Sequence, residues 1–172
     1  MVCQTVRFAL LLGAITAVAG LIATLLGGIA GDALRRRFPG SYFLVSAAGL
    51  IAGAPLLAAM LVTPFPRAWV WIFLAVFCLF FNTGPTNTIL ANVTHPAIRA
   101  TGFAVNIFVI HLLGDAISPA VVGFIADHSS LKVGFLFMCG VMVLGGVLWL
   151  WGARYLRRDT DLAPARIGQE LP

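Results

Sequence analysis

"FALLLGAITAVAGLIATLLGGIA", residues 8–30, runs without a single charged side chain. A bilayer core about 30 Å thick is crossed by about 20 helical residues, so the stretch reads as a spanning helix. It exceeds the roughly 7 to 15 apolar residues of a signal-peptide core and lacks a convincing cleavage site, which argues that it stays in the protein. Taking the first span as residues 8–31, four more apolar segments follow, at about 41–62, 69–93, 100–126 and 133–153. The connections are short: "GDALRRRFPG", "TPFPR", "THPAIR" and "DHSSLK". The expectation is an all-α integral membrane protein, a bundle of about five helices over residues 1–155 and a polar, disordered cytoplasmic tail over 156–172.

The composition agrees. Hydrophobic residues make up 60% and charged residues only 10%, against roughly 25% charged in soluble domains. Mean hydropathy is +1.01. A net charge of +5 raises the question of nucleic acid, but the Arg residues sit in short clusters beside apolar runs, as topology determinants do. No nucleic-acid partner is expected. Cys3, Cys78 and Cys139 are an odd, scattered set that suggests neither a disulfide framework nor a metal site, and no cofactor is expected.

Alternation of the spans puts Arg35, Arg36 and Arg37, then His95 and Arg99, then Arg154, Arg157, Arg158 and Arg166 on one side of the membrane. Arg7, Arg67 and Lys132 fall on the other side, so the positive-inside rule makes the first set cytoplasmic and with it the C-terminus, as in a bacterial inner membrane. Trp69 and Trp71 then lie near one interface, and Trp149, Trp151 and Tyr155 near the other. Thr16, Gly20, Thr24 and Gly28 form a small-residue stripe, and Gly49 with Gly53 a second; both let helix backbones approach closely.

Three polar stretches interrupt this apolar pattern. In "GIAGDALRRR", Gly28 and Asp32 are followed by Arg35, Arg36 and Arg37, either an anchor of topology or a charge-assisted latch to a neighbouring helix end. In "FNTGPTNTILANV", Asn82, Thr83, Thr86 and Asn87 fall within an arc of about 140° at 100° per residue. Pro85 removes a backbone donor within that face and Gly84 weakens it further, freeing carbonyls that only a cavity or a neighbouring helix could satisfy. In "HLLGDAISP", His111, Asp115 and Ser118 fall within about 60° of one another, and Pro119 cannot donate to the Asp115 carbonyl. His111 and Asp115 stand at i, i+4 and can pair, which lowers the cost of holding both in a membrane; a proton relay and a static pair both fit.

"GIAGDALRRR" resembles the cytoplasmic signature loop of the major facilitator superfamily, G-x-x-x-D-R-x-G-R-K, with Gly28, Asp32, Arg36 and Arg37 in matching places. Ala33 stands where that pattern prefers Arg, and Arg35 where it prefers Gly. A second G-x-x-x-D, Gly123 to Asp127, ends the fourth segment on the opposite side, as inverted three-helix repeats would place it. From about Gly13 to Phe137 the chain is similar to the last helices of the spinster-like branch of that superfamily, the block from "NTGP" to "GDAISP" being the most distinctive.

The resemblance implies the C-terminal part of a secondary transporter for lysophospholipid- or sphingoid-type amphipathic substrates, with proton coupling proposed for several members. It implies a partial bundle, the second to sixth helices of a six-helix half, whose partners are the lipid bilayer, the N-terminal half and the substrate. Such a chain is not expected to transport alone. Asn82, Thr83, Thr86, Asn87, His111, Asp115 and Ser118 are then the candidates for the cavity or proton path. The alternative is a free-standing small membrane protein that docks on and regulates another helical protein. An intramembrane enzyme fits least: Ser118 lacks a GxSG context, no HExxH occurs, and no catalytic residue is assigned.

Overall fold

A computed structural model describes residues 2–163. The chain is an all-α membrane bundle, and among the described residues there is no strand. Five helical stretches are long and apolar enough to cross a membrane: Val6–Arg35, Ser41–Val62, Ala68–Val93, Pro96–His128 and Leu131–Gly152. Helix is what apolar runs of this length must form in lipid, where each backbone donor and acceptor needs a partner inside its own segment.

Helix α1, Val2–Arg35, has 34 residues and is about 51 Å long at 1.5 Å per residue, so it outruns the hydrocarbon layer. It overshoots the expected 8–31 at both ends. The chain turns at Leu34, whose carbonyl accepts from Arg37 N at 2.9 Å and Phe38 N at 3.0 Å. Helix α2, Ser41–Val62, follows, with Pro55 inside it.

The third span is not one helix. It divides into α3, Ala68–Phe80, and α4, Thr83–Val93, with the break at Phe81 and Asn82, just ahead of Pro85. A short 3₁₀ turn at Pro96–Ile98 leads into the fourth span; the ring of His95 caps it, Nδ1 accepting from Ala97 N at 3.1 Å. That span has three parts: α5, Arg99–Val109, a π turn at Ile110–Asp115, and α6, Ser118–His128. Helix α7, Leu131–Gly152, starts at Ser130, whose hydroxyl accepts from Val133 N at 3.3 Å.

The tail departs from the expected disorder. Leu156–Leu162 form an eighth helix, α8, because Leu156 is buried against Tyr42 and Ile89, with Phe43, Val93 and Trp149 around them. Residues 164–172, the rest of the expected tail, lie outside the described residues.

Helix α2 is the centre of the bundle, packing on α7, α3, α1 and α4. Small residues make this possible: Ala19, Ala23, Ala47, Ala54, Ala68 and Ala75 are all buried. A Cβ on Gly49 would stand 2.9 Å from the Cys78 carbonyl oxygen, and one on Gly53 would stand 2.7 Å from Met142 Cε. Both glycines of the second stripe are thus used, one against α3 and the other against α3 and α7. The fourth span is different. It reaches α7 through α6 and α4 through α5, and none of its apolar window is buried by the described chain.

Candidate functional site

The polar face of the third span is organised by its proline. Pro85 has no N–H to offer the Phe81 carbonyl one turn back. That oxygen faces α1 instead: a Cβ on Gly27 would overlap it, and Gly27 would also meet Pro85 Cδ at 3.3 Å. Gly84 sits equally close to the other side of the seam, where a Cβ would clash with the Thr24 carbonyl and stand 2.9 Å from Gly28 N. A carbonyl freed by proline is therefore covered by a neighbouring helix, at a Cα with no side chain to hold it off; Cα–H···O contacts of this kind are weakly favourable.

Around that crossing the candidate residues take different environments. Asn82 and Thr86 are half-buried and joined, the Asn82 carbonyl accepting from Thr86 N at 2.9 Å and from Thr86 Oγ1 at 2.7 Å. Thr83 is half-buried, whereas Asn87 is exposed. Thr88 returns its own hydroxyl proton to the Gly84 carbonyl at 3.1 Å.

His111 and Asp115 meet in the π turn, Nδ1 to Oδ2 at 2.5 Å. The turn is held by Ala116 N donating to the His111 carbonyl at 3.0 Å, an i to i−5 bond. Such wide turns recur inside helices at functional positions. The pair is open, with side chains 67% and 69% exposed, and apolar Phe108, Ile110 and Leu113 beside it are exposed as well. Ser118 begins α6 half-buried. The π turn spans Ile110–Asp115, so a constant 100° per residue does not describe the stretch from His111 to Ser118.

The two polar sets do not share the cleft between α4 and α5. That cleft, of about 500 Å³, is lined by Leu90 of α4 and by Thr101, Val105, Asn106 and Val109 of α5, none of them among the candidates.

At the loop end of α1, Asp32 is bonded to the next span. Tyr42 Oη donates to Asp32 Oδ1 at 2.6 Å and accepts from Arg35 Nη1 at 3.4 Å, and the Arg35 guanidinium lies 5.6 Å from the Tyr42 ring centroid. Beside it Ser41 Oγ donates to the Gly31 carbonyl at 2.9 Å. Gly28 faces open space, and Arg36 and Arg37 are exposed. Gly123 of the second G-x-x-x-D also faces open space. Sequence reasoning missed Gly27, Ser41 and Tyr42: a contact ten residues ahead, across a turn, follows no helical period.

No protein-family model matches the chain. Curated proteins do. The zebrafish protein named "Sphingosine-1-phosphate transporter SPNS2" is 32% identical over 179 residues, covering 95% of this chain and 36% of its own length. Human "Protein spinster homolog 3" is 34% identical over 170 residues, covering 90% of this chain and 33% of its own. The Arabidopsis "Probable sphingolipid transporter spinster homolog 3" is 27% identical over 149 residues.

The chain is a relative of the spinster branch of the major facilitator superfamily. It spans about a third of the length of the curated spinster relatives it matches. The polar interruptions of the apolar helices, the break before Pro85 and the π turn at His111, thus occur in a chain some of whose spinster relatives carry transporter names.

Proposed function

We propose that this chain is the C-terminal part of a spinster-type secondary transporter, moving a lysophospholipid- or sphingoid-type amphipathic substrate and coupling that movement to protons. In this reading the chain works with an N-terminal half, and α4 and the fourth span face the path between the two halves. The observation that carries the reading is the fourth span itself. It sets a paired imidazole and carboxylate at the middle of a span that the other described helices leave open. Ionisable groups in a span are expensive, and they ordinarily face a protein interior or a water-filled cavity.

The roles follow from geometry. His111 and Asp115 share one hydrogen-bonded proton position, so protonation of the pair would neutralise the carboxylate as the path changes its opening. The half-buried Asn82 and Thr83 would contact the polar end of the substrate. Asp32 and Tyr42 would tie the basic end of α1 to the start of α2 on the cytoplasmic side when that side is closed, with the C-terminus on that side of a cell membrane. Neither a cofactor nor an enzymatic step has a role in this reading.

An epitope fused after Pro172 at the chain's own locus tests it. The expected result is a band well above 18.3 kDa, or co-purification of a separately encoded N-terminal half. A lone 18.3 kDa product that by itself carries a fluorescent lysophospholipid into liposomes would overturn the two-half reading.

A further inference from the structure

Helix α8 borders a cavity that none of the candidate path residues lines. It lies against the loop end of the bundle, where Leu156 is buried between Tyr42 and Ile89. Beside that contact is a cavity of about 180 Å³, several times the ~30 Å³ share of one water molecule. Arg35 of α1 and Arg157 of α8 both line it, with Asn92, Thr160, Asp161 and Tyr42 as its other polar residues.

We propose that this cavity binds a single anionic phosphate group, that of an acidic phospholipid headgroup or of free phosphate. Three features converge on that chemistry. Two guanidinium groups from different helices flank one cavity, and planar guanidinium is the side chain best suited to phosphate oxygens. One of them is held in place: Arg35 stacks near the Tyr42 ring and spends one N–H on Tyr42 Oη, leaving its other donors for a ligand. Finally, the cavity lies at the end of the bundle where α2 begins and α4 and α7 finish, and Trp151 and Tyr155, at and just after the end of α7, are exposed, as aromatic side chains at a membrane interface are. Arg154 and Arg158, which with Arg157 line the next cleft along α8, add to the positive field.

The acidic groups limit the charge accepted. Asp161 lines the cavity one turn beyond Arg157, and Asp32 is nearby but committed to Tyr42. With Asp32 counted, whose charge its hydrogen bond to Tyr42 does not remove, Arg35 and Arg157 face two carboxylates, and Arg154 and Arg158 supply the positive excess that favours a singly charged phosphodiester over a polyphosphate. The assignment is independent of what the transporter carries.

The test uses the full chain in detergent micelles, with lipid adducts counted by native mass spectrometry. Phosphatidylglycerol should be retained over phosphatidylcholine. Arg35→Gln and Arg157→Gln should each weaken that retention about fivefold, while Lys132→Gln, at the other end of the bundle, leaves it unchanged. Thr160→Val, which removes a donor without changing charge, guards against loss of the fold and should lower retention without altering the melting curve. Competition by millimolar inorganic phosphate would assign the site to the phosphate group alone; failure to compete would assign it to the whole lipid. Equal retention of the two lipids, or equal loss in Lys132→Gln, would overturn the proposal.

Discussion

The carbonyl oxygen of Phe81 lies where the Cβ of residue 27 would be, and residue 27 is glycine. Alanine there has no soft neighbour to displace, because the obstacle is backbone. Gly27→Ala should therefore cost about 1 to 3 kcal/mol as an overpacked contact. Gly28→Ala should cost little, since its Cβ would meet nothing within 4 Å. Thermal unfolding of the two variants in the same detergent checks the contrast, and equal melting temperatures would mean that the seam between α1 and α4 is not as close as described.

Tyr42→Phe removes the donor that Asp32 accepts and leaves the ring in place. The expected loss is about 1 kcal/mol, near the mean for a single hydrogen bond, because Asp32 remains in contact with solvent. Asp32→Asn keeps an acceptor and should be milder than Asp32→Ala. A double-mutant cycle between Tyr42→Phe and Asp32→Ala should show non-additivity; additive losses would deny the coupling.

Ser46 is fully buried in α2 and its hydroxyl finds no partner among the described residues. Removing an unsatisfied buried hydroxyl recovers its desolvation cost, so Ser46→Ala should be neutral or stabilising by up to about 1 kcal/mol. A clear drop in the unfolding midpoint would show that the hydroxyl has a partner in the assembled protein.

Asp115→Asn should separate stability from transport. The substitution keeps an acceptor for His111 Nδ1 and removes only the charge from an open i, i+4 contact, a class worth about 0.2 to 0.5 kcal/mol, so the melting curve should barely move. Under the proposed proton coupling, lipid uptake by the complete transporter should lose its dependence on pH. Unchanged uptake and unchanged pH dependence would remove Asp115 from any proton path.

Leu156→Ala should free α8 while leaving the rest of the bundle intact. Its side chain anchors the helix to Tyr42 and Ile89, and helices held by few buried contacts open locally before the whole fold does. Faster hydrogen exchange over residues 156–162, with α2 and α7 unchanged, is the expected pattern.

Much of the architecture was legible because it follows from one constraint. Long apolar runs in lipid must be helices, and five runs in the sequence match five spans in the structure. The Gly49 and Gly53 pair was readable for the same reason, since close packing in membranes selects small residues. What escaped was local or non-local to the helical period. The π turn at Ile110–Asp115 widens the helix within one segment, which a constant 100° per residue does not anticipate. Tyr42 reaches Asp32 across a turn, where no spacing rule applies. Leu156 opens a polar tail, and its partners on α2 and α4 lie far back in the chain.

The central place of α2 carries a consequence for how the protein is made. Its most extensive contact is with α7, the last of the five described spans. During synthesis the helix at the middle of this bundle therefore waits, with the face on which Gly53 meets Met142 uncovered, until α7 has entered the membrane. Translation products stalled before α7 would expose that face to other membrane proteins, which makes the arrival of α7 a step at which assembly is either advanced or diverted.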